Sequence, residues 1–540
     1  MSAKTRISFP VEEGWVVAAD GLSAATVLAC FLFGVVLAWP LYPVVIRRFR
    51  PWALRRGFSF HQTHAEPIPR AGGLVLAGVF LVTAVVTHGL LPVNPGRVAE
   101  NWGIVVLSLA MFALGFVDDL RPLGARKKLA VQILISLLAC FWVARIELLR
   151  NPLTGEVLEL GWWGISLTVL WLVAFTNLIN LIDGLDGLAG GLSLMLMLLL
   201  AYVGWHTGAV FPMAAAAALA GGLVAFLRYN FPPARIYLGD GGAYFLGFLT
   251  GLVAMRLSHK GTVAAALVAP LFALALPIID TTLAVLRRGL KGLPLFRPDR
   301  KHLHHKLLGE GFNQRQTVLV LYGFSLMALL AAFGVFWVGE RSAPLFLGVL
   351  MLVGLLGASR LQFAREWFAL GRFLGSTLEV RKAARYALTL CQWFELEAER
   401  CRNLNVLWQE FGFVLTKLGY IRVTFRDPEG SDRMWIGQNR QDEPVRQARV
   451  PFPQLGGAEL VLEAPQNVPE RVFDLQNELV AEAWAKAMER YTASAESKIA
   501  AHAFDDKSRA ARVPTQQETG GSPSTPAAAS SPKEQSVKGA

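Results

Sequence analysis

Eleven apolar segments, each near the length that crosses a bilayer, dominate this chain of 540 residues. They lie at about 19–46, 71–93, 102–117, 129–146, 163–181, 188–206, 209–227, 241–257, 261–285, 317–338 and 343–359. A helix needs roughly 20 apolar residues to traverse the hydrocarbon. Repetition on this scale, with 54% of residues hydrophobic and 17% charged, excludes one large soluble domain. The fold expected is an all-α multispanning membrane protein of about 11 transmembrane helices. Residues 1–18 are polar, and the first apolar run is too long for the core of a cleaved signal. They are expected to form a short extracytoplasmic amino terminus ahead of a membrane domain over residues 19–359.

The basic residues orient the spans. After odd-numbered segments lie Arg47, Arg48, Arg50, Arg55, Arg56 and Arg70, then Arg121, Arg126, Lys127 and Lys128, then Arg228 and Arg235, then a dense run from Arg287 to Arg315. After even-numbered segments stand only Arg97, Arg145, Arg150, Arg256, Lys260 and Arg341. Loops rich in Lys and Arg stay in the cytoplasm. The odd exits and the carboxyl-terminal region are therefore expected on the cytoplasmic side of the membrane. The formal charge of +12 belongs to that orientation, and no nucleic-acid partner is expected. The four cysteines are scattered and form no CxxC, which supports neither a disulfide framework nor a zinc knuckle.

The same parity gathers every unusual polar cluster on one membrane face: GFVDDL at 115–120, NLINLIDGLDGLAG at 177–190, RIYLGDGG at 235–242 and FRPDRKHLHHKLL at 296–308. Charged side chains at that depth are costly without a task. Asn177, Asn180 and Asp183 recur every three residues and share a helical face. Gly184 and Gly187 loosen the helix end, so that Asp186 can turn into the same cavity. Asp118 and Asp119 end the third segment, and adjacent helical positions diverge, so only one need face that cavity. Asp240 lies between two glycines, three residues after Tyr237. Tyr237 fits either an interfacial anchor or a platform for a planar base.

Carboxylates crowded in this way repel one another until a cation joins them. Mg²⁺, with Mn²⁺ as a substitute, takes oxygen ligands from one or two carboxylates plus substrate phosphates. Arg297, Arg300, Lys301, His302, His304, His305 and Lys306 form the basic counterpart. Histidines beside so many cations suit phosphate better than zinc. Arg70, with Pro67 and Pro69 before it and Gly72–Gly73 after it, can meet an anion, and His61 and His64 are further candidates for phosphate or acid–base contact. Asp280 reads either as a structural partner of Arg287 or Arg288 or as a cavity wall.

Taken together, GFVDDL, NLINLIDGLDGLAGG, NFPPARIYLGDGG and PIIDTTLAVLRRG followed by FRPDRKHLHHKLL resemble the polyprenyl-phosphate N-acetylhexosamine-1-phosphate transferases over about residues 15–360. The PDRKHLHHKLL form is more similar to the N-acetylglucosamine branch than to the phospho-MurNAc-pentapeptide transferases. The resemblance implies a Mg²⁺-dependent enzyme that joins a HexNAc-1-phosphate, GlcNAc-1-phosphate in the first place, from a UDP-sugar to undecaprenyl phosphate, releasing UMP. It implies the first membrane step of cell-envelope polysaccharide, lipopolysaccharide or O-antigen synthesis, and a homodimer, as is often found in the family. A peptidoglycan transferase and a transporter of phosphorylated solutes are the alternatives. The resemblance makes Asp118, Asp119, Asp183 and Asp186 catalytic candidates and Asp240, with Asp119, the metal ligands. It makes His64, Arg70, Asn177, Asn180, Tyr237, Arg300, His302, His304 and His305 substrate contacts, with Tyr237 against the uracil. Direct attack by the lipid phosphate and a covalent aspartyl intermediate both stay open. RGFSFHQTH, Arg235 and Ala243 depart from the family pattern.

Residues 360–495 differ in kind. Helices are expected over 378–400, 404–418 and 470–491, with strands at 421–425, 434–437 and 459–464, giving a small cytoplasmic α/β domain. From 496 the Ala, Ser, Pro, Gln and Gly content predicts a disordered tail.

Overall fold

The computed structural model describes residues 23–55, 68–150, 157–258, 311–338, 377–426, 432–437, 444–452 and 458–510, with single residues at 270, 274, 278, 282 and 307. Two units emerge, Met1–Arg385 and Tyr386–Ala540.

The first unit is helical: α1 (Ala24–Arg55), α2 (Gly72–Leu90), α3 (Val98–Leu120), α4 (Ala125–Trp142), α5 (Trp163–Ile182), α6 (Leu188–His206), α7 (Val210–Asn230), α8 (Gly239–Ser258) and α9 (Gln314–Val338). A short antiparallel hairpin, β1 (Leu148–Arg150) with β2 (Val157–Glu159), separates α4 from α5. Among the described residues, seven helices are long and apolar enough to cross a membrane: α1, α2, α3, α5, α6, α7 and α8. α4 overlaps the expected fourth span but opens with Arg126, Lys127 and Lys128, whose charges lower its apolar character. α9 matches the expected tenth span, while 261–285 and 343–359 fall almost wholly outside the described residues.

α8 is the hub. It packs on α2, α3, α5 and α6 and is buried on every side. Small residues permit such close approach between membrane helices. A Cβ added at Gly242 would lie 2.8 Å from the Gly73 Cα, so α2 and α8 touch backbone to backbone. The end of α3 is equally tight: a Cβ on Gly115 would collide with the Asp240 carbonyl. α3 stops where Arg121 turns to extended backbone ahead of Pro122, which cannot continue a helical hydrogen-bond ladder.

The second unit begins within α10 (Thr377–Glu397) and adds α11 (Leu404–Leu418), β3 (Arg422–Arg426), β4 (Arg433–Ile436), β5 (Val445–Phe452), β6 (Ala458–Pro465) and α12 (Glu470–Ala510). Asn403 caps α11 by accepting from the Val406 N–H at 2.9 Å, and Gly419 ends it with φ +81. The sheet is antiparallel in the order β4-β3-β6-β5. Trp484 of α12 anchors its core, with ring centres of Phe411 at 4.7 Å and Phe425 at 5.6 Å. β5 is a fourth strand beyond the three expected. Its alternation is masked by Arg446, Gln447 and Arg449 and broken by Pro451, a composition that suits an edge strand. α12 continues to Ala510, past residue 496, because an Ala-rich run of helix formers precedes the Pro/Ser/Gly tail.

Candidate active site

The loops that lead into α2 and α8 pair with each other. The Tyr237 N–H donates to the Pro69 carbonyl at 2.9 Å, Gly72 N–H to the Tyr237 carbonyl at 2.9 Å, and Gly73 N–H to the Leu238 carbonyl at 3.0 Å. This short parallel bridge sets Arg70 beside Tyr237.

Four helix ends meet next to it. Lys128 at the start of α4 donates to Asp118 Oδ2 at 2.7 Å and lies 3.6 Å from Asp240 Oδ2. Asp118 Oδ1 accepts the Leu123 N–H at 2.6 Å, folding the α3–α4 turn around the carboxylate. Asn180 of α5 donates to Asp240 Oδ1 at 3.0 Å. Side chains of α3, α4, α8 and α5 thus form one line: Asp118, Lys128, Asp240, Asn180. Asp119 diverges from its neighbour, as adjacent helical positions must. Its Oδ2 accepts the Gly241 N–H at 2.9 Å and so caps the first turn of α8, where a negative charge also suits the helix dipole. Gly239 makes room for it: φ is +79, and a Cβ there would lie 2.7 Å from Asp119 Oδ2.

Asp183 is the residue just past α5. Burial holds its carboxyl well above the usual carboxylate range, Asp240 and Asp119 push it further, and Arg70 opposes them. Burial also raises the Tyr237 phenol, with Asp186 and Asp183 adding to it. Asp186 has a scaffolding contact: buried, it accepts the Ala234 N–H at 3.0 Å. Asn230 reinforces that tie, accepting the Gly187 N–H at 2.9 Å and donating to the Ile236 carbonyl at 2.8 Å. From α9, the Tyr322 hydroxyl donates to the Gly187 carbonyl at 2.5 Å and Arg315 Nε to the Pro232 carbonyl at 2.8 Å. The loop bearing Asp183 and Asp186 is thereby fixed to the loop bearing Tyr237.

Of the residues singled out from sequence, the structure assembles Asp118, Asp119, Asp183, Asp240, Asn180, Arg70 and Tyr237, with Asp186 in the adjoining knot. Asn177 points to α4, donating to Gln132 Oε1 at 2.7 Å and to the Val173 carbonyl at 2.8 Å. His61, His64, Asp280, Arg300, His302, His304 and His305 lie outside the described residues. Sequence reasoning counted Lys128 only as an orienting charge and passed over Asn230 and Tyr322. A turn separates Lys128 from Asp118, so no helical spacing signals their contact.

Among the described residues, no three His, Cys, Asp or Glu side chains form a ready-made metal cage. The oxygen donors are nonetheless hard, and the aspartates of the cluster outnumber the cations Lys128 and Arg70. That set fits an ion that completes its shell with substrate oxygens.

Residues 101–258, which contain most of these side chains, match the family model described as glycosyl transferase family 4. The chain is 34% identical to the probable undecaprenyl-phosphate N-acetylglucosaminyl 1-phosphate transferase of Bacillus subtilis, over 52% of this chain and 77% of that one. It is 34% identical to the phospho-N-acetylmuramoyl-pentapeptide-transferase of Moorella thermoacetica, over 49% and 82%. It is 31% identical to the decaprenyl-phosphate N-acetylglucosaminephosphotransferase of Mycobacterium leprae, over 54% and 79%. With this motif set seated on a bundle of membrane-spanning helices, the chain belongs to glycosyl transferase family 4 and is a multi-pass membrane phosphosugar transferase.

Proposed function

We propose that the enzyme transfers a HexNAc-1-phosphate, GlcNAc-1-phosphate foremost, from its UDP-sugar to undecaprenyl phosphate at the cytoplasmic face of a bacterial inner membrane. An oxygen of the lipid phosphate forms a bond to the β-phosphorus of the donor. The bond from that phosphorus to the bridging oxygen breaks, and its electron pair leaves with UMP. A phosphomonoester with a second pKa of about 6 is already largely ionised near neutrality, so the attack needs little help from a base. Direct attack is therefore favoured over an aspartyl intermediate.

The observation that carries this reading is the line Asp118–Lys128–Asp240–Asn180 beside Arg70 and Tyr237. Lys128, held by Asp118, offers an ammonium to phosphate oxygens. Arg70 adds a guanidinium, and Tyr237 a ring face for uracil. Asn180 orients Asp240 through Oδ1, and its Oδ2 faces the Lys128 ammonium. Asp240, with Asp119 and Asp183 near it, would hold Mg²⁺ or Mn²⁺. Such an ion, when bound, supplies charge neutralisation at the diphosphate. His64, Arg300, His302, His304 and His305 are assigned to phosphate and sugar contacts on the sequence motifs alone.

The names of the Bacillus and Mycobacterium relatives support GlcNAc-1-phosphate, and with it a first membrane step in envelope polysaccharide synthesis, of which O-antigen is one product class. The equally similar Moorella relative supports phospho-MurNAc-pentapeptide transfer as the second reading. Purified enzyme given UDP-GlcNAc, UDP-GalNAc or UDP-MurNAc-pentapeptide decides between them by UMP release. UMP formation from UDP-GlcNAc that requires undecaprenyl phosphate and is lost in Asp118→Asn and Asp240→Asn is expected. Release only from the pentapeptide donor reverses the donor assignment, and full activity in either variant removes that residue from the machinery.

A further inference from the structure

One turn deeper into the bundle than the line Asp118–Lys128–Asp240–Asn180 stands a second polar tier. α4 and α8 run away from the shared end and α5 runs towards it. The tier therefore falls one turn after Lys128, one turn after Asp240 and one turn before Asn180, at Gln132, Tyr244 and Asn177. Gln132 is buried, and its Oε1 accepts from Asn177 at 2.7 Å, which ties α4 to α5 below the root of Lys128. Tyr244 is 2% exposed. Its hydroxyl is a hydrogen-bond partner of the Lys128 ammonium, and the charges of Asp240 and Asp118 act on it. A tyrosine that only anchors a helix keeps its hydroxyl among the headgroups. This one is enclosed by the bundle, where a phenol needs a partner.

We propose that Tyr244 is a positioning residue of this enzyme, its hydroxyl holding the Lys128 ammonium from the bundle side so that the open side meets a phosphate oxygen, a role that rests on the phosphate contact proposed above for Lys128. An ammonium has three N–H donors on a flexible four-carbon stem, and fixing that stem costs rotamer entropy. Asp118 Oδ2 takes one donor at 2.7 Å. Asp240 Oδ2, at 3.6 Å, lies beyond an ordinary hydrogen bond. With Asp118 alone the ammonium would pivot on a single contact. Tyr244 adds a second, from α8, so the charge is held against both helices that carry its aspartates. A substrate phosphate can then take the place facing Asp240 without freeing the lysine. The phenol is also neutral. A third carboxylate in its position would cancel the charge that Lys128 offers to phosphate, whereas a hydroxyl holds the ammonium and leaves that charge in place. The Gln132–Asn177 bond fixes the root of the same side chain, so head and stem are held by different helices.

The test is a double-mutant cycle on the full-length enzyme in detergent, read by UMP release with undecaprenyl phosphate and whichever UDP-sugar the donor panel selects. Tyr244→Phe should lower kcat about tenfold, the scale of one hydrogen bond to a charged group, with donor KM kept within about twofold. Its thermal unfolding midpoint should match that of the unsubstituted enzyme, because the ring still fills its place. Added to Lys128→Met, the same change should cost less than about twofold, since the ammonium it serves is gone. Full kcat in Tyr244→Phe, or a rise in KM alone, overturns the positioning role. A tenfold loss repeated in the Lys128→Met background overturns it as well, because Tyr244 then acts through another group. Should Tyr244→Phe fail to fold, the double variant decides. A double variant that folds supports the contact with Lys128, and one that also fails assigns Tyr244 to packing and overturns the proposal. Lys128→Met at full rate removes the lysine from the chemistry and sinks the reading beneath. Tyr244→Phe at full rate beside an impaired Lys128→Met sinks the tyrosine's role alone.

Discussion

Lys128 is shared by two of the cluster's aspartates, 2.7 Å from Asp118 and 3.6 Å from Asp240. If its ammonium stabilises charge on transferring phosphate, Lys128→Met should lower kcat for UMP release by about 10²-fold or more, the usual cost of one electrostatic stabiliser. Lys128→Arg keeps the charge but not the compact ammonium and should retain part of the rate. Asp186 behaves differently, because its buried Oδ2 is occupied by the Ala234 N–H. Asp186→Ala would leave that donor unsatisfied at a cost of about 1–3 kcal/mol. A lower midpoint of thermal unfolding is expected, with a rise in donor KM larger than the fall in kcat. Asp186→Asn keeps an acceptor oxygen and should recover most of the loss. Composition and spacing marked Asp183 and Asp186 alike as site acids. What distinguishes them is which backbone N–H comes near in space, and a linear pattern carries no such information.

The elements that hold the site are the α2–α8 crossing and the α3 end. Gly242 and Gly73 let two helix backbones touch, and Asp240 sits two residues before that contact. Gly242→Leu should overpack the crossing by about 1–3 kcal/mol and tilt the first turn of α8. A displacement near 1 Å at a reacting centre can cost about 10²-fold. Loss of UMP release should therefore exceed the loss of folded protein measured by detergent-solubilised thermal unfolding. A variant that keeps full turnover while losing stability would separate the crossing from the chemistry. At this scale the sequence is most legible where apolar length alone decides: α2, α5, α6 and α7 fall close to their expected segments. β5 is harder to read, because Arg446–Arg449 hide its apolar patterning behind charges that the fold places at an edge, and Arg126–Lys128 hide only the opening turn of α4. Asn177 shows the same limit. Its three-residue spacing from Asn180 was plain, but a partner on α4, Gln132, takes it away from Asp240.

For the whole molecule, the contacts test the alternation of helix directions. Asp118 ends α3, Lys128 begins α4, Asn180 nears the end of α5 and Asp240 begins α8. These four termini can meet only if the helices run alternately up and down, as the odd-and-even bias of Lys and Arg demanded. The shared end is thus a property of the bundle, while its cytoplasmic exposure is proposed from the charge bias. Arg121, Arg126 and Lys127 flank the cluster, whereas the opposite end of α4 leads to Glu147 and the β1–β2 hairpin. In intact cells a membrane-impermeant maleimide should label Glu147→Cys and spare Arg126→Cys. In inside-out vesicles the preference should reverse. Labelling of Arg126→Cys from outside would put the acidic cluster away from the cytoplasm, where a UDP-sugar is supplied, and the proposed reaction would have no donor. The matching chemical control is metal removal: chelation of divalent ions in inside-out vesicles should abolish UMP release, and added Mg²⁺ or Mn²⁺ should restore it. Turnover that survives chelation would leave Lys128 and Arg70 as the neutralising charges among the described residues, and would assign the aspartates to holding those cations.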